Sequence, residues 1–126
     1  MRQILFRGFN RKNNVWLHGF YLQNRKAHFV CPDEFAIGKT WEDYEVDPET
    51  LGQYTGLKDK NGKEIYEGDI MRNDEGHVCE VVWDELSCGF RQYDYEDELM
   101  PNIIENEFDE VIGNIHDNPE LLKKTN

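Results

Sequence analysis

The sequence predicts an all-β fold, mainly strands with one or two short helices. Glycine and asparagine recur at short intervals in this chain of 126 residues, and 13% of the residues are aromatic. The segments between the turns are short and rich in aromatic and β-branched residues. Turns spaced this closely favour a small barrel or meander over a parallel α/β sheet.

The stretch from Gly52 to Arg72 carries the strongest local signals. Asn61-Gly62 is a dipeptide that accepts positive φ at both central positions, as a type I′ hairpin turn requires. Gly68 predicts a second tight turn just before a strand that begins at Ile70. The polar residues of the first turn are expected to be solvated; they are Lys58, Asp59, Lys60, Lys63 and Glu64. The apolar residues of the stretch are expected in the core; they are Tyr54, Leu57, Ile65, Tyr66 and Ile70.

Three strands are predicted before this stretch, over residues 3–9, 15–22 and 27–31, and residues 40–46 resemble a fourth. Asp47-Pro48-Glu49 combines an N-cap, a proline at the first helical position and an early acid, which predicts a one-turn helix. Asn118-Pro119-Glu120 predicts a second short helix.

The domain prediction divides the chain in two. Residues 1–46 are expected to form an N-terminal β meander, and residues 47–126 an SH3-like barrel region with a short C-terminal helix. One continuous domain over residues 1–126 is the alternative.

Composition and charge limit the compartment and the partners. No apolar run approaches the roughly 20 residues needed to span a membrane, and the N-terminus lacks a signal-peptide h-region. We therefore expect a cytoplasmic protein, in a bacterial host cell, that has no membrane partner. Residues 1–63 hold ten Lys/Arg and eight Asp/Glu (+2), whereas residues 64–126 hold four Lys/Arg and eighteen Asp/Glu (−14). An acidic surface repels phosphate, so binding to nucleic acid is not expected of the second half.

The sequence contains no recognisable catalytic constellation. It lacks G-x-S-x-G, P-loop, G-x-G-x-x-G and H-E-x-x-H motifs. Cys31, Cys79 and Cys88 form no C-x-x-C pair, which indicates reduced thiols and neither a disulfide framework nor a four-ligand zinc site. A site that joins Cys79 or Cys88 to His77 is a minor alternative. The expectation is a protein that is not an enzyme, with no cofactor and no metal.

Two groups of charged residues are candidate partner surfaces. The basic group lies among N-terminal aromatic residues and consists of Arg7, Arg11, Lys12, Arg25 and Lys26. It could be a platform for single-stranded nucleic acid, but the favoured interpretation is that its aromatic neighbours are core and its charges mark turns and edges. The acidic group consists of Asp94, Glu96, Asp97 and Glu98. A divalent cation is its functional alternative, but its spacing matches no EF-hand and a solvated loop is favoured.

Three segments resemble the YopX protein family, whose members are small proteins carried mostly by phages and prophages. QYTGLKDKNGKEIYEGDI (residues 53–70) is similar to the family's signature, ILFRGFN (4–10) to its opening strand and VIGNIHDNPELL (111–122) to its closing segment. Gly8 stands where alanine is usual, and His116 where an aromatic residue is usual. The resemblance implies a mostly β fold of SH3-like barrel character. It implies no activity and brings no catalytic residues.

The favoured functional hypothesis is a phage or prophage accessory protein that acts as a non-enzymatic protein-binding module, for a host or phage protein or for its own copies. An acidic mimic of nucleic acid that inhibits a host nucleic-acid-binding protein is the first alternative. A nucleic-acid binder that uses the basic, aromatic N-terminal region is the second, and an enzyme ranks last.

Overall fold

The computed structural model describes residues 3–32, 37–95 and 102–122. Two compact units make up the chain, Met1–Tyr54 and Thr55–Asn126, here called the first and the second unit. The division falls later than the predicted boundary at residues 46 and 47, because the strand that begins at Gly52 pairs with the first strand of the chain. The described residues form two antiparallel sheets, which confirms the all-β prediction.

The first unit is an antiparallel arrangement of strands in the order β3-β2-β1-β4. Its strands are β1 (Phe6–Asn10), β2 (Val15–Asn24), β3 (Ala27–Cys31) and the beginning of β4 (Gly52–Lys58). β2 pairs with β1 through its first half and with β3 through its second half. β4 continues into the second unit, where β5 (Glu64–Tyr66) is its neighbour.

Residues 44–46 cover the outer edge of β3. The Val30 N–H donates to the Tyr44 carbonyl at 3.0 Å, and the Val46 N–H donates to the His28 carbonyl at 2.9 Å. Two backbone groups at this edge, the Val30 N–H and the His28 carbonyl, are therefore paired within the unit. Beside the edge, Phe29, Cys31 and Tyr44 form a buried cluster against which Ala27 packs.

The predicted strand over residues 40–46 is wrong for its first half, which is a 3₁₀ helix over Trp41–Asp43. The Asp43 carboxylate explains the difference. It accepts the Thr40 N–H at 2.9 Å and so closes a capping box at the start of the helix. That N–H, with the side chains of Asn13 and Lys12, holds the pKa of Asp43 well below its usual range. The predicted one-turn helix after Asp47 is confirmed as Pro48–Thr50.

The second unit contains a four-stranded antiparallel sheet in the order β8-β7-β6-β9. Its strands are β6 (Asp69–Arg72), β7 (Val78–Asp84), β8 (Gly89–Tyr93) and β9 (Glu110–Asn114). Its core contains Ile65, Met71, Val81 and Ile104. The C-terminal helix is a 3₁₀ segment, Pro119–Leu122. Closure of this unit into an SH3-like barrel stays a prediction. Within the described residues, every helix is far too short to cross a membrane.

The predicted turn at Asn61-Gly62 exists, but its chemistry differs from the prediction. Gly62 has φ 83°, but Asn61 does not have a positive φ. The turn is therefore not type I′. Asp59, expected in solvent, is only 6% exposed. Its Oδ1 accepts the N–H groups of Asn61 and Lys63, each at 2.9 Å. Its Oδ2 accepts the Val111 N–H at 2.9 Å and so ties the turn to β9.

Asp59→Asn should destabilise the protein by about 2–4 kcal/mol at pH 7, because an amide supplies only one acceptor atom for three backbone donors. Burial raises the pKa of Asp59, but the N–H donors and Lys63 outweigh it and keep the pKa below its usual value. A carboxyl group whose pKa is lowered in the folded state stabilises the fold at pH values above its unfolded-state pKa. This stabilisation is lost as the pH falls through the folded-state pKa.

Urea unfolding from pH 7 down to pH 2 measures this effect. The difference in the free energy of unfolding between wild type and Asp59→Asn should narrow below about pH 4. Asp74→Asn is the matched control, since the Asp74 side chain is 81% exposed and forms a surface ion pair with Lys60. Equal losses of unfolding free energy in Asp59→Asn and Asp74→Asn would contradict the role given to Asp59.

Gly8 packs closely against Val46. A Cβ atom at position 8 would come within 2.7 Å of the Val46 Cβ atom, and Val46 is 4% exposed. Gly8→Ala should therefore cost about 1–3 kcal/mol of stability by overpacking. Adding Val46→Ala should recover part of that loss, and a double-mutant cycle by thermal unfolding measures the coupling. Strictly additive losses would show that the two positions do not compete for space.

Candidate functional site

The first unit exposes three large apolar side chains that share one apolar base. Phe20 is 55% exposed, Leu22 46% and Trp41 56%. We call these three residues the apolar patch. Isolated exposed apolar side chains are normal on proteins, whereas contiguous ones mark interaction surfaces.

The pairing of β2 with β3 brings the apolar patch together. Phe20 and Leu22 are two residues apart on β2, so their side chains point to the same face. Their cross-strand partners are Cys31 and Phe29, both buried. The Trp41 ring packs edge-on against Phe29, with centroids 5.5 Å apart and planes at 65°. Phe29 therefore joins the strand side of the patch to the 3₁₀ helix.

The sequence interpretation placed the N-terminal aromatic residues in the core, and for Phe20 the structure contradicts this. β2 carries apolar residues on both of its faces, because Tyr21 points opposite to Phe20 and lies 5.3 Å from the Phe6 ring. The Tyr21 ring also stacks on the His28 ring. A strand that is apolar on both faces is the signal that could have indicated a second, uncovered face.

The basic candidate residues at the start of the sheet are engaged within the unit. Arg7 is buried, and its Cζ atom lies 5.1 Å from the centroid of the Trp16 ring. Arg11 forms an ion pair with Asp47. Lys12 pairs with Asp43 at 3.1 Å.

The other two basic residues, Arg25 and Lys26, form the turn between β2 and β3. The turn that holds Arg11 and Lys12 lies at the opposite end of β2, about 30 Å away at the usual rise of a strand. The five basic candidates therefore do not converge on one surface. The nucleic-acid platform stays a prediction, and the geometry lends it no support.

The acidic candidates are only partly described. Glu96, Asp97 and Glu98 lie outside the described residues. Asp94 lines a cavity of about 260 Å³ in the second unit. Among the described residues, no three His, Cys, Asp or Glu side chains are grouped so that they could hold a metal ion.

Several other carboxylates of the second unit are engaged in local structure. Asp84 accepts the Ser87 N–H at 3.1 Å, Asp69 accepts the Tyr66 N–H at 2.7 Å, and Glu110 accepts from Arg72 at 2.6 Å. Such carboxylates stabilise turns and strand pairs. These contacts do not test the nucleic-acid mimic, which stays a prediction.

Two of the three cysteines were candidates for a site with His77. Cys79 lines the same cavity as His77, whereas Cys88 is exposed in the turn between β7 and β8. Burial, and then the negative charges of Asp94, Asp109 and Glu105, raise the pKa of Cys79 to about 11. The thiol is therefore protonated at neutral pH and is a poor nucleophile and a poor metal ligand.

Comparisons with known proteins agree with the resemblance seen in the sequence. The crystal structure of protein EF1440 from Enterococcus faecalis is similar to this chain, with 25% sequence identity and a TM-score of 0.64. The similarity covers 98% of this chain and 100% of that one. No curated protein matches. The family model described as YopX protein matches residues 5–123, nearly the whole length, and the chain therefore belongs to the YopX protein family.

Proposed function

We propose that this chain is a non-enzymatic protein-binding module of phage or prophage origin that works in the host cytoplasm. The apolar patch of Phe20, Leu22 and Trp41 is the surface that binds the partner. The exposure of these three side chains on one shared base is the observation that supports the proposal.

The composition of the patch suits a binding hot spot. Tryptophan and other aromatic residues bury large areas at little entropic cost, and they dominate the energetics of many interfaces. Phe20 and Leu22 are held by strand pairing, and Trp41 by its ring contact and by the Asp43 capping box. A surface held in this way loses little freedom when a partner binds.

Charge favours a partner with an acidic rim around an apolar centre. The first unit holds seven Lys/Arg and seven Asp/Glu, so its net charge is zero, and the chain's −12 resides in the second unit. Arg25 and Lys26 lie in the turn at the end of β2 nearest to Leu22. An acidic rim on the partner would contact these two side chains when the partner's apolar centre packs on the apolar patch.

The non-enzymatic part of the proposal has support of its own. The candidate nucleophile Cys79 holds its proton because burial and three carboxylates raise its pKa. A strongly acidic neighbourhood of this kind works against thiolate chemistry.

Site-specific photo-crosslinking in prophage-bearing cells tests the proposal. A benzoylphenylalanine at position 20 should crosslink one protein, which mass spectrometry identifies and which is then purified. The double variant Phe20→Ser/Leu22→Ser should bind that protein at least about tenfold more weakly than wild type, because two anchors are lost. Wild-type and variant unfolding should differ little, since both side chains are half in solvent.

The matched control carries the photo-crosslinker at Leu86, which is 87% exposed in the second unit. This position should not yield the same protein. Equal capture from both positions, or unchanged affinity in the double variant, would contradict the proposal. If position 20 crosslinks only to another copy of the chain, the partner is the chain itself, and sedimentation of wild type and double variant then decides whether the patch forms the dimer.

A further inference from the structure

A second exposed apolar surface lies in the second unit. Ile103 is 69% exposed and Phe108 64%, and both line a groove of about 430 Å³. Ile104 also lines the groove, and it is buried because it packs in the core of the unit. Glu105 and Glu107 line it as well, with exposed side chains. We call these five residues the acidic groove. Apolar side chains that are exposed next to one another mark interaction surfaces.

Hydrogen bonds hold the segment that carries the acidic groove in one shape. The Glu105 carbonyl accepts the N–H groups of Phe108 at 3.2 Å and Asp109 at 3.1 Å, which folds the segment into a turn. The Asn106 side chain donates to the Lys58 carbonyl at 2.9 Å and so ties this turn to the end of β4. The groove therefore has its shape before any partner arrives, which lowers the entropic cost of binding.

The acidic groove has the chemistry expected of a partner for the apolar patch. Arg25 and Lys26 are exposed in the turn at the Leu22 end of the patch. Glu105 and Glu107 are exposed beside the apolar side chains of the groove. The ion pairs formed among the described residues involve none of these four charged side chains. Each surface thus combines an apolar centre with charges opposite to those of the other.

We propose that the apolar patch of one copy of this chain binds the acidic groove of a second copy. Phe20, Leu22 and Trp41 of one copy would pack on Ile103 and Phe108 of the other, with the two bases facing the two acids. The inference rests on the proposed function, since it names the partner of the apolar patch. The contact joins two different surfaces, so a pair of copies keeps one patch and one groove for further copies. Such contacts build rings or open chains.

Charge favours this contact over contacts between like surfaces. The first unit has no net charge, whereas the second carries the chain's −12. A groove-to-groove contact would bring two strongly acidic units together, and a patch-to-patch contact would leave Arg25 and Lys26 without opposite charges. The proposed contact sets a neutral unit against an acidic one and pairs opposite charges. Because these charges are exposed, added salt should weaken the association.

Sedimentation velocity of the full chain over a range of concentrations tests the proposal. Wild type should form species larger than a monomer, in proportions that rise with concentration. The patch variant, Phe20→Ser/Leu22→Ser, and the groove variant, Ile103→Ser/Phe108→Ser, should each weaken self-association at least about tenfold. An equimolar mixture of the two should form a dimer and nothing larger, because the intact patch of one variant meets the intact groove of the other.

Charge reversal supplies a second test that leaves the apolar side chains in place. Arg25→Glu/Lys26→Glu and Glu105→Lys/Glu107→Lys should each weaken self-association about tenfold at low salt, because each sets like charges against one another. Mixing these two variants should restore it, since opposite charges then face each other. Leu86→Ser is the control: it removes a side chain that is 87% exposed elsewhere in the second unit and should associate like wild type. Thermal unfolding shows whether each variant is folded.

Three results would overturn the inference. The first is a wild-type chain that stays monomeric up to about 0.5 mM. The second is a mixture of patch and groove variants that does not associate. The third is self-association that the patch variant keeps. If wild type stays monomeric while position 20 crosslinks a different protein that the patch variant no longer binds, this inference fails and the proposed function stands.

Discussion

The buried carboxylate of Asp59 is the interaction on which the second unit depends most. It accepts N–H groups from Asn61 and Lys63 in the turn and from Val111, which is 52 residues away in the sequence. One side chain therefore fixes the geometry of a turn and the position of β9. β9 in turn pairs with β6, whose residues Ile70 and Met71 are fully buried. The segment DKNGKEIYEGD thus encodes structure: its acids at 59 and 69 both bind backbone N–H groups.

The sequence allowed the turns and most strands to be predicted, because glycine, asparagine and proline act on the backbone locally. The helix after Asp47 was predicted for this reason, and so was the position of the turn at Gly62. The type of that turn could not be predicted, since it depends on Asp59 binding a distant strand. The strand prediction for residues 40–46 is wrong in its first half, because the alternation of Trp41, Tyr44 and Val46 does not reveal the capping pair of Thr40 and Asp43.

The candidate sites were much harder to predict than the strands. Phe20 and Leu22 look like core residues in the sequence, and whether a face is covered is decided by segments far along the chain. Asp94 was singled out within an acidic run, yet its described neighbours in the cavity, such as His77 and Glu105, come from other segments. The basic residues suggest a shared surface in the sequence. In the structure, β2 separates the two turns that carry most of them.

The closed edge of β3 has a consequence for how this protein can carry an exposed apolar face. Proteins with bare hydrophobic strands are at risk chiefly when a neighbouring molecule can add a strand and extend the ladder. Residues 44–46 already occupy that position, with two backbone hydrogen bonds. Contact with another molecule at this edge must then come through side chains, which demand matching shape. At the β3 edge, the first unit can therefore expose its apolar face without offering a free strand for fibrils to extend.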